Sequence, residues 1–212
     1  MVILRWRDER IRSGRGTVSV RLLPRALLLL LSLGVTFLVW GDLIPKVPVD
    51  SQAKIFTHVL SFDRSLANAR KGEIVIGVVY QPMFRISSIT ARELTRQVTG
   101  TSINDVPIRT MLIEIEDDTS VLDRVLVQER VDAVFIAPLR AVKIEDLARI
   151  AASRRVRTFA SLEGYVARGL AVGVRLERGY PKLLINLDAA RSQGMDLDSR
   201  VLALARVTRE DR

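Results

Sequence analysis

Residues 73–80 read Glu-Ile-Val-Ile-Gly-Val-Val-Tyr, a run in which nearly every side chain is apolar and most are β-branched. Such a run is typical of a strand that is covered on both faces. A helical pattern follows over 88–98, and a second apolar strand lies at 111–115. The same alternation then continues with helices at 120–129 and 144–154 and strands at 131–136 and 156–160. Strands that alternate with helices of about ten residues predict right-handed crossovers and a mainly parallel sheet.

The pattern changes towards the C-terminus. Two short strands, 171–176 and 182–185, are separated by the turn-rich segment Glu177-Arg178-Gly179-Tyr180-Pro181, which favours a hairpin. At the other end, Ser51 is a candidate N-cap for a first amphipathic helix, preceded by a spacer at 42–50. The sequence therefore predicts a single α/β domain over 51–207, an open sandwich with a mainly parallel sheet and a C-terminal antiparallel addition.

The N-terminal segment differs in composition from the rest. Residues 1–25 hold seven arginines and two acidic residues, which accounts for +5 of the chain's net charge of +9. Residues 26–40 are almost entirely apolar, so we interpret 26–41 as a signal peptide or a membrane anchor. Fifteen residues make a helix of about 22 Å, shorter than a bilayer core of about 30 Å, although Leu22 and Leu23 would lengthen it. Both alternatives stay open.

The basic lead decides the orientation in either case. The positive-inside rule keeps the arginines of residues 1–25 in the cytoplasm and sends residues from 42 onward outside. We therefore expect a periplasmic protein, or one anchored in the inner membrane through residues 26–40 with its domain outside the cytoplasm.

Few residues of the domain suggest catalysis. The chain has no cysteine, and its only histidine, His58, has no acidic partner at ligand spacing. No glycine-rich phosphate loop follows the first strand. The acidic residues of 114–118 lack the spacing of a calcium loop and fit a solvated turn better. We expect no catalytic residue, no cofactor and no metal ligand.

A basic stretch lies in the second half of the domain. On a cytoplasmic protein it would suggest nucleic acid as a partner, but on an exported chain a solvated face, an acidic protein surface or anionic lipid is favoured. We therefore expect no nucleic acid. Its members are Arg140, Lys143, Arg149, Arg154, Arg155 and Arg157.

The segment Ile185-Asn186-Leu187-Asp188-Ala189-Ala190-Arg191 turns a strand directly into a helix. Asn186 or Asp188 can cap the first helical piece, and Gly194 can end it in the left-handed conformation. Asp198 or Ser199 then begins a second helix. We assign the closing motif, formed by Ile185, Asn186, Ala189, Ala190, Arg191 and Gly194, a structural role first.

This motif resembles the end of the YfiR-type exported regulators, in which an Ile-Asn-x-x-Ala-Ala-Arg stretch, a glycine and a Leu-Leu-x-Leu-Ala helix close the domain. Ala53-Lys54-Ile55-Phe56 is similar to the start of that family's first helix. Ser161, Tyr165 and Gly169 fall where the family has a Ser-Asp, an aromatic residue and a glycine. Two departures are that Phe62-Asp63 stands near the place of a common Trp-Pro and that Leu162 replaces the acidic residue.

A second candidate site follows from position in the fold. Ser161, Glu163 and Gly164 come directly after a predicted strand, and open α/β sheets place their ligand crevice at such strand ends. Ser-x-Glu-Gly is also ordinary turn chemistry.

The resemblance implies a non-catalytic protein that binds the periplasmic part of a membrane signalling protein, a diguanylate cyclase or sensor kinase, and holds it inactive. The alternative is a periplasmic solute-binding protein or transporter component, of which this domain would be one lobe. A homodimer stays open.

Overall fold

One eight-stranded sheet organises residues 43–68 and 72–208, the part of the chain that the computed structural model describes. The predicted segments 1–25 and 26–41 lie outside these residues. The strands are β1 Ile74–Tyr80, β2 Ser102–Ile103, β3 Val106–Glu114, β4 Ala133–Ile136, β5 Arg157–Ala160, β6 Val172–Glu177, β7 Tyr180–Asn186 and β8 Arg206–Thr208. The helices are α1 Val49–Ser61, α2 Arg64–Ala67, α3 Arg85–Val98, α4 Ser120–Gln128, α5 Ile144–Arg154, α6 Leu187–Ser192 and α7 Ser199–Leu204, with a 3₁₀ helix at Glu163–Arg168.

The strands lie in the order β2-β3-β1-β4-β5-β6-β7-β8. The five strands from β3 to β6 are parallel to one another, whereas β6 and β7 form an antiparallel hairpin. The predicted fold class, a mainly parallel α/β sheet with a C-terminal antiparallel addition, is confirmed. Short β2 pairs antiparallel with β3, and β8 pairs parallel with β7.

Side chains of the central strand enter two hydrophobic cores. Ile74, Ile76 and Val78 of β1 pack on the face that α1, α3 and α6 cover, whereas Val75 and Val79 pack on the face of α4 and α5. This alternation follows from the two-residue period of a strand. Because both faces are covered, all seven residues of β1 are buried.

Gly77 allows β1 to pack closely against its neighbours. A Cβ at this position would lie 2.5 Å from Cδ1 of Ile113 and 3.3 Å from Cγ1 of Val134. The side chains of Ile113 and Val134 therefore occupy the space that a side chain at position 77 would need. Gly77 thus has a packing role in the sheet.

The first helix begins earlier than predicted. Pro48, not Ser51, holds the N-cap position of α1, and Val47 is 2% exposed. Nε2 of Gln52 donates to the carbonyl of Val47 at 2.8 Å, which ties the preceding residues to the helix. The second half of the predicted spacer 42–50 is therefore part of the packed domain. Proline suits this place because its missing N–H would have no partner at a helix start.

Two other elements escaped prediction. The turn between β2 and β3 uses Asn104 and Asp105 at φ values of 48° and 68°, a pair that favours tight hairpins. Strand β8 is exposed throughout and lacks an apolar pattern, because it joins the sheet through its backbone and through one side-chain bond, from the hydroxyl of Thr208 to the carbonyl of Ile185.

Candidate functional site

The carboxyl edge of the sheet is the first place to look for a site. The chain passes from β1 to β3 on one side and from β4 to β5 on the other, so the connections diverge between β1 and β4. Open α/β sheets bind ligands at this divergence, beyond the carboxyl ends of the strands. The residues there are Gln81, which follows β1, and the loop 137–143, which follows β4.

Gln81 fills the divergence point with its own side chain. Its Nε2 donates to the carbonyl of Arg140 at 3.0 Å, and its Oε1 accepts from the backbone N–H of Arg140 at 2.6 Å. The amide thus makes the pair of bonds that a neighbouring strand would make. We call this contact the Gln81 latch, and it closes the space that a small ligand occupies in related architectures.

Further contacts hold the latch in place. The backbone N–H of Gln81 donates to the fully buried Oγ of Ser87 at 2.9 Å, at the start of α3. The guanidinium of Arg140 lies over the ring of Phe84, 4.6 Å from its centroid. Both partners of the latch are therefore fixed by the element that follows β1.

The predicted crevice residues separate in the structure. Ser161 is 2% exposed, and its Oγ has no hydrogen-bond partner within the described ranges. Glu163 and Gly164 are exposed in the 3₁₀ helix. Tyr165 turns inward and its OH accepts from the backbone N–H of Leu139 at 2.8 Å. The structure brings Ser161 to the strand end but does not bring it together with Glu163.

The 3₁₀ helix is fastened to α5 by an ion pair. Arg168 donates from Nε and Nη2 to the carboxylate of Glu145 at 2.8 and 2.9 Å. These hydrogen bonds lower the pKa of Glu145 to about 2. Burial raises the pKa of Tyr165.

The acidic residues near 114–118 do not form a metal site in the part of the chain that is described. Glu114 accepts a hydrogen bond from the OH of Tyr80 at 2.5 Å, and this bond raises the pKa of Tyr80. Asp118 instead accepts from the backbone N–H of Ser120 at 2.8 Å, at the start of α4. His58 is exposed and contacts the ring of Phe62 edge-on.

The closing motif packs the C-terminal segment onto the sheet. Oδ1 of Asn186 accepts from the N–H of Ala189 at 3.0 Å and caps α6, while its Nδ2 donates to the carbonyl of Val166 at 3.2 Å. Ile185, Ala189 and Ala190 are buried. Of the two predicted caps, Asn186 is the one used.

The residues after α6 continue this role. Oε1 of Gln193 accepts from the hydroxyl of Thr158 at 2.6 Å, and its Nε2 donates to the carbonyl of Gly169 at 3.0 Å. Gly194 has a φ of 82°, as predicted for a residue that ends a helix. Arg191 differs from the other motif members, because it is exposed and has no side-chain partner in 43–68 or 72–208.

A buried ion pair joins the start of α2 to β5, and no local pattern in the sequence signals it. Asp63, fully buried, accepts from Nε of Arg157 across 94 positions, and its Oδ1 accepts from the N–H of Asp196 at 3.0 Å. Nη2 of Arg157 also donates to Oγ of Ser65 at 2.6 Å. Burial raises the pKa of Asp63, but the bonds from Arg157, Ser65 and Asp196 outweigh it, so the pKa lies below its usual value.

The basic stretch does not form one surface. Arg140 lies at the carboxyl edge of the sheet, whereas Arg154, Arg155 and Arg157 lie at the amino edge, where β5 begins. Basic residues that are close together in the sequence therefore did not predict a basic surface patch.

Residues 50–206 match the model of the YfiR/HmsC-like family. The chain belongs to this family. The match covers α1 through the start of β8, including the closing motif whose resemblance first suggested the assignment. Membership of this YfiR/HmsC-like family supports a role in regulation and signalling. Among curated proteins, no sequence matches the chain.

Two solved structures share the fold of this YfiR/HmsC-like domain. One is a conserved domain protein of Vibrio cholerae, with 18% identity, a TM-score of 0.56 and coverage of 76% of this chain and 60% of its own. The other is an ABC domain of Streptococcus pneumoniae in complex with L-tryptophan, with 13% identity, a TM-score of 0.56 and coverage of 76% and 61%. The chain thus spans about three fifths of the length of each.

The described ranges contain no helix of the length and apolar character that a bilayer crossing requires. The predicted signal peptide or anchor at 26–41 falls outside those ranges.

Proposed function

We propose that this chain is an exported, non-catalytic regulator that binds the periplasmic part of a membrane signalling protein and holds it inactive. The target would be a diguanylate cyclase or a sensor kinase. The observation that carries the proposal is the family match over 50–206, which spans nearly all of the folded domain. The domain lies in the periplasm, either free or held by residues 26–40.

The mechanism is a shift of population. A regulator that binds the inactive state of its target more tightly than the active state stabilises the inactive state by the difference in binding free energy. To move a target from about 99% active to about 99% inactive, that difference must reach about 5.5 kcal/mol. Retention at the membrane would raise the local concentration of the regulator and so strengthen a weak contact.

The Gln81 latch supports a protein partner over a small ligand at the carboxyl edge. A solute-binding lobe keeps the divergence point of its sheet open, because the ligand lies there. Here two hydrogen bonds between Gln81 and Arg140 occupy that point. What remains accessible at this edge is a protruding loop whose Met83 is 91% exposed.

The second candidate is a solute-binding protein or transporter component. One specific observation favours it: the hydroxyl of Ser161 is buried at the strand ends with no partner among the described residues. The shared fold with the tryptophan-bound ABC domain of Streptococcus pneumoniae is consistent with it, although a likeness at 13% identity concerns the fold alone.

Capture from the membrane tests the proposal. The tagged full chain is incubated with detergent-solubilised membranes of the source cell, and bound proteins are identified by mass spectrometry. We expect enrichment of a membrane cyclase or sensor kinase over an empty-tag control, and inhibition of that enzyme by the purified chain. Recovery of transporter subunits would favour the second candidate, and recovery of neither would refute the proposal.

Two matched variants show which surface is used. Met83→Asp places a charge on the loop at the carboxyl edge, and Leu204→Asp does the same at a 68% exposed position at the end of α7. Both side chains are highly exposed, so neither change should disturb folding. Loss of capture with one variant and not the other assigns the contact to that surface.

A further inference from the structure

A cleft of about 430 Å³ opens at the amino edge of the sheet, opposite to the edge that holds the Gln81 latch. It lies where β4 and β5 begin and where α4 and α5 end. Its volume is within the range of cavities that bind small molecules. Neither the family match nor the sequence patterns assign it a role.

Among the described residues, four arginines line this cleft together with one carboxylate, that of Asp132. The carboxylate is turned into the fold, because its Oδ2 accepts from the backbone N–H of Val75 at 3.0 Å. Two of the arginines are fixed by acids: Arg154 by Asp123, at 2.7 and 2.8 Å, and Arg157 by Asp63. The other two, Arg130 and Arg155, have no side-chain partner within 43–68 and 72–208.

The backbone of these two arginines is strained. Arg130 follows the end of α4 with a φ of 51°, and Arg155 follows the end of α5 with a φ of 54°. Glycine is the usual residue at such positions, because a Cβ is disfavoured in the left-handed conformation. Both helices that end at the cleft thus place an arginine where glycine would be more stable.

The helix dipole gives a structural explanation for a cation at these positions, but an incomplete one. A positive charge near a helix C-terminus is stabilising, yet it obtains that benefit within the last turn without backbone strain. Arg154 already provides such a charge in the last turn of α5. The strain at Arg155 therefore needs another reason, and strained residues are frequent at binding sites.

We propose that this cleft binds a small polyanion that carries carboxylate or phosphate groups, held between Arg130 and Arg155. The planar guanidinium group matches both kinds of oxyanion with two parallel hydrogen bonds. Ser65 lies in the same wall, and Gly194 of the closing motif lets the backbone approach, since a Cβ there would lie 3.2 Å from Cβ of Arg155. The proposal does not depend on which membrane protein is the target.

Calorimetric titration of the full chain, purified in a non-ionic detergent at 150 mM NaCl, tests this site. The titrants are sodium citrate for carboxylates and sodium pyrophosphate for phosphates. We expect saturable binding of at least one titrant and a dissociation constant at least tenfold higher for the double variant Arg130→Gly/Arg155→Gly. Which titrant binds distinguishes the carboxylate from the phosphate.

Arg178→Gly is the matched control. Arg178 is also exposed and left-handed, with a φ of 51°, but it lies in the β6–β7 turn at the other end of the sheet. The Arg178→Gly variant should bind the titrants with wild-type affinity. The arginines of residues 1–25 are present in every variant, so they do not account for a difference between variants. No saturable binding, or equal affinity in all three proteins, would overturn the proposal.

The melting temperature separates binding from a structural role. Glycine relieves the strain, so the double variant should melt no lower than the wild type in the absence of ligand. A large fall in its melting temperature would show that the arginines support the fold. In that case Arg130→Gln/Arg155→Gln, which keeps the left-handed Cβ and a polar side chain, repeats the titration, and undiminished affinity would again refute the site.

Discussion

At the scale of single residues, the pair between Asp63 and Arg157 is the most consequential contact of the domain. Removing two charges from water costs several kcal/mol each, and the cost is recovered only where hydrogen bonds satisfy the remaining atoms. Here Asp63 also accepts from the backbone N–H groups of Ser65 and Asp196. The carboxylate of Asp63 can therefore make all of its hydrogen bonds only when α2, β5 and the C-terminal segment are in their native arrangement.

We expect Asp63→Asn to lower the free energy of unfolding by about 3–5 kcal/mol, because it leaves the buried guanidinium of Arg157 without its counter-charge. Urea denaturation followed by circular dichroism measures the change. Asp123→Asn is the matched control, since it removes the partner of Arg154 at the surface, where solvent screens the charges. A similar loss in both variants would contradict this assignment.

The same carboxylate predicts how stability depends on pH. The pKa of Asp63 is lowered in the folded state relative to an unfolded value of about 3.9. Its contribution is therefore fully present above about pH 4 and is lost as the pH falls through the lower folded value. The acid limb of a stability-versus-pH curve should be steeper for the wild type than for Asp63→Asn, and superimposable limbs would argue against the pair.

At the scale of elements, the caps of the C-terminal helices were predictable, whereas the cap of α1 and the contacts between distant segments were not. Asn186, Gly194 and Asp198 act within a few positions of their own helix, so the sequence itself displays the signal. The Gln81 latch spans 59 positions, and neither end has an unusual local pattern. Ser161 directly follows β5, and its burial depends on packing that periodicity does not show.

Asn186→Ala should lower the free energy of unfolding by about 2 kcal/mol. The change removes the cap of α6 and leaves the buried carbonyl of Val166 with the N–H of Gly169 as its remaining donor. Thermal unfolding monitors the loss. Asp198→Ala removes an N-cap that is more accessible and should cost less, so the reverse order would contradict a central role for the closing motif.

At the scale of the whole molecule, the segment after α6 completes the domain. Asp63 and Leu197 form an isolated β-bridge, and the hydroxyl of Ser65 donates to the carbonyl of Gly194 at 2.8 Å. Met195, Leu197 and Val201 are buried in the core that α1 covers. The first and last elements of the domain therefore depend on each other.

A chain shortened to end at residue 192 should fail to unfold cooperatively. The three lost apolar side chains each contribute about 1.5–3 kcal/mol, and their sum approaches the whole stability of a typical domain. Urea titration followed by both far-ultraviolet and near-ultraviolet circular dichroism checks this. A chain that ends at residue 205 loses only the exposed β8 and should keep one transition, so equal behaviour of the two would contradict the expectation.

The fold class was predictable from periodicity alone, whereas the sheet edges were not. A buried strand such as β1 must be apolar on both faces, but β8 joins through its backbone and leaves no mark in composition. A surface for the proposed partner was equally unpredictable, because the residues that bind a protein depend on the shape of that protein.

Residues 194–198 are synthesised long after Asp63, and this order affects when the domain can fold. Asp63 leaves the ribosome more than a hundred residues before the N–H of Asp196 that it binds. Until then, burial of the Asp63 carboxylate and the Arg157 guanidinium would leave Asp63 without the hydrogen bond from Asp196. The unfolded nascent chain is therefore favoured. The hydrogen bonds of the buried pair are therefore complete only after residues 194–198 have been made, which delays the step that commits the domain to its native state.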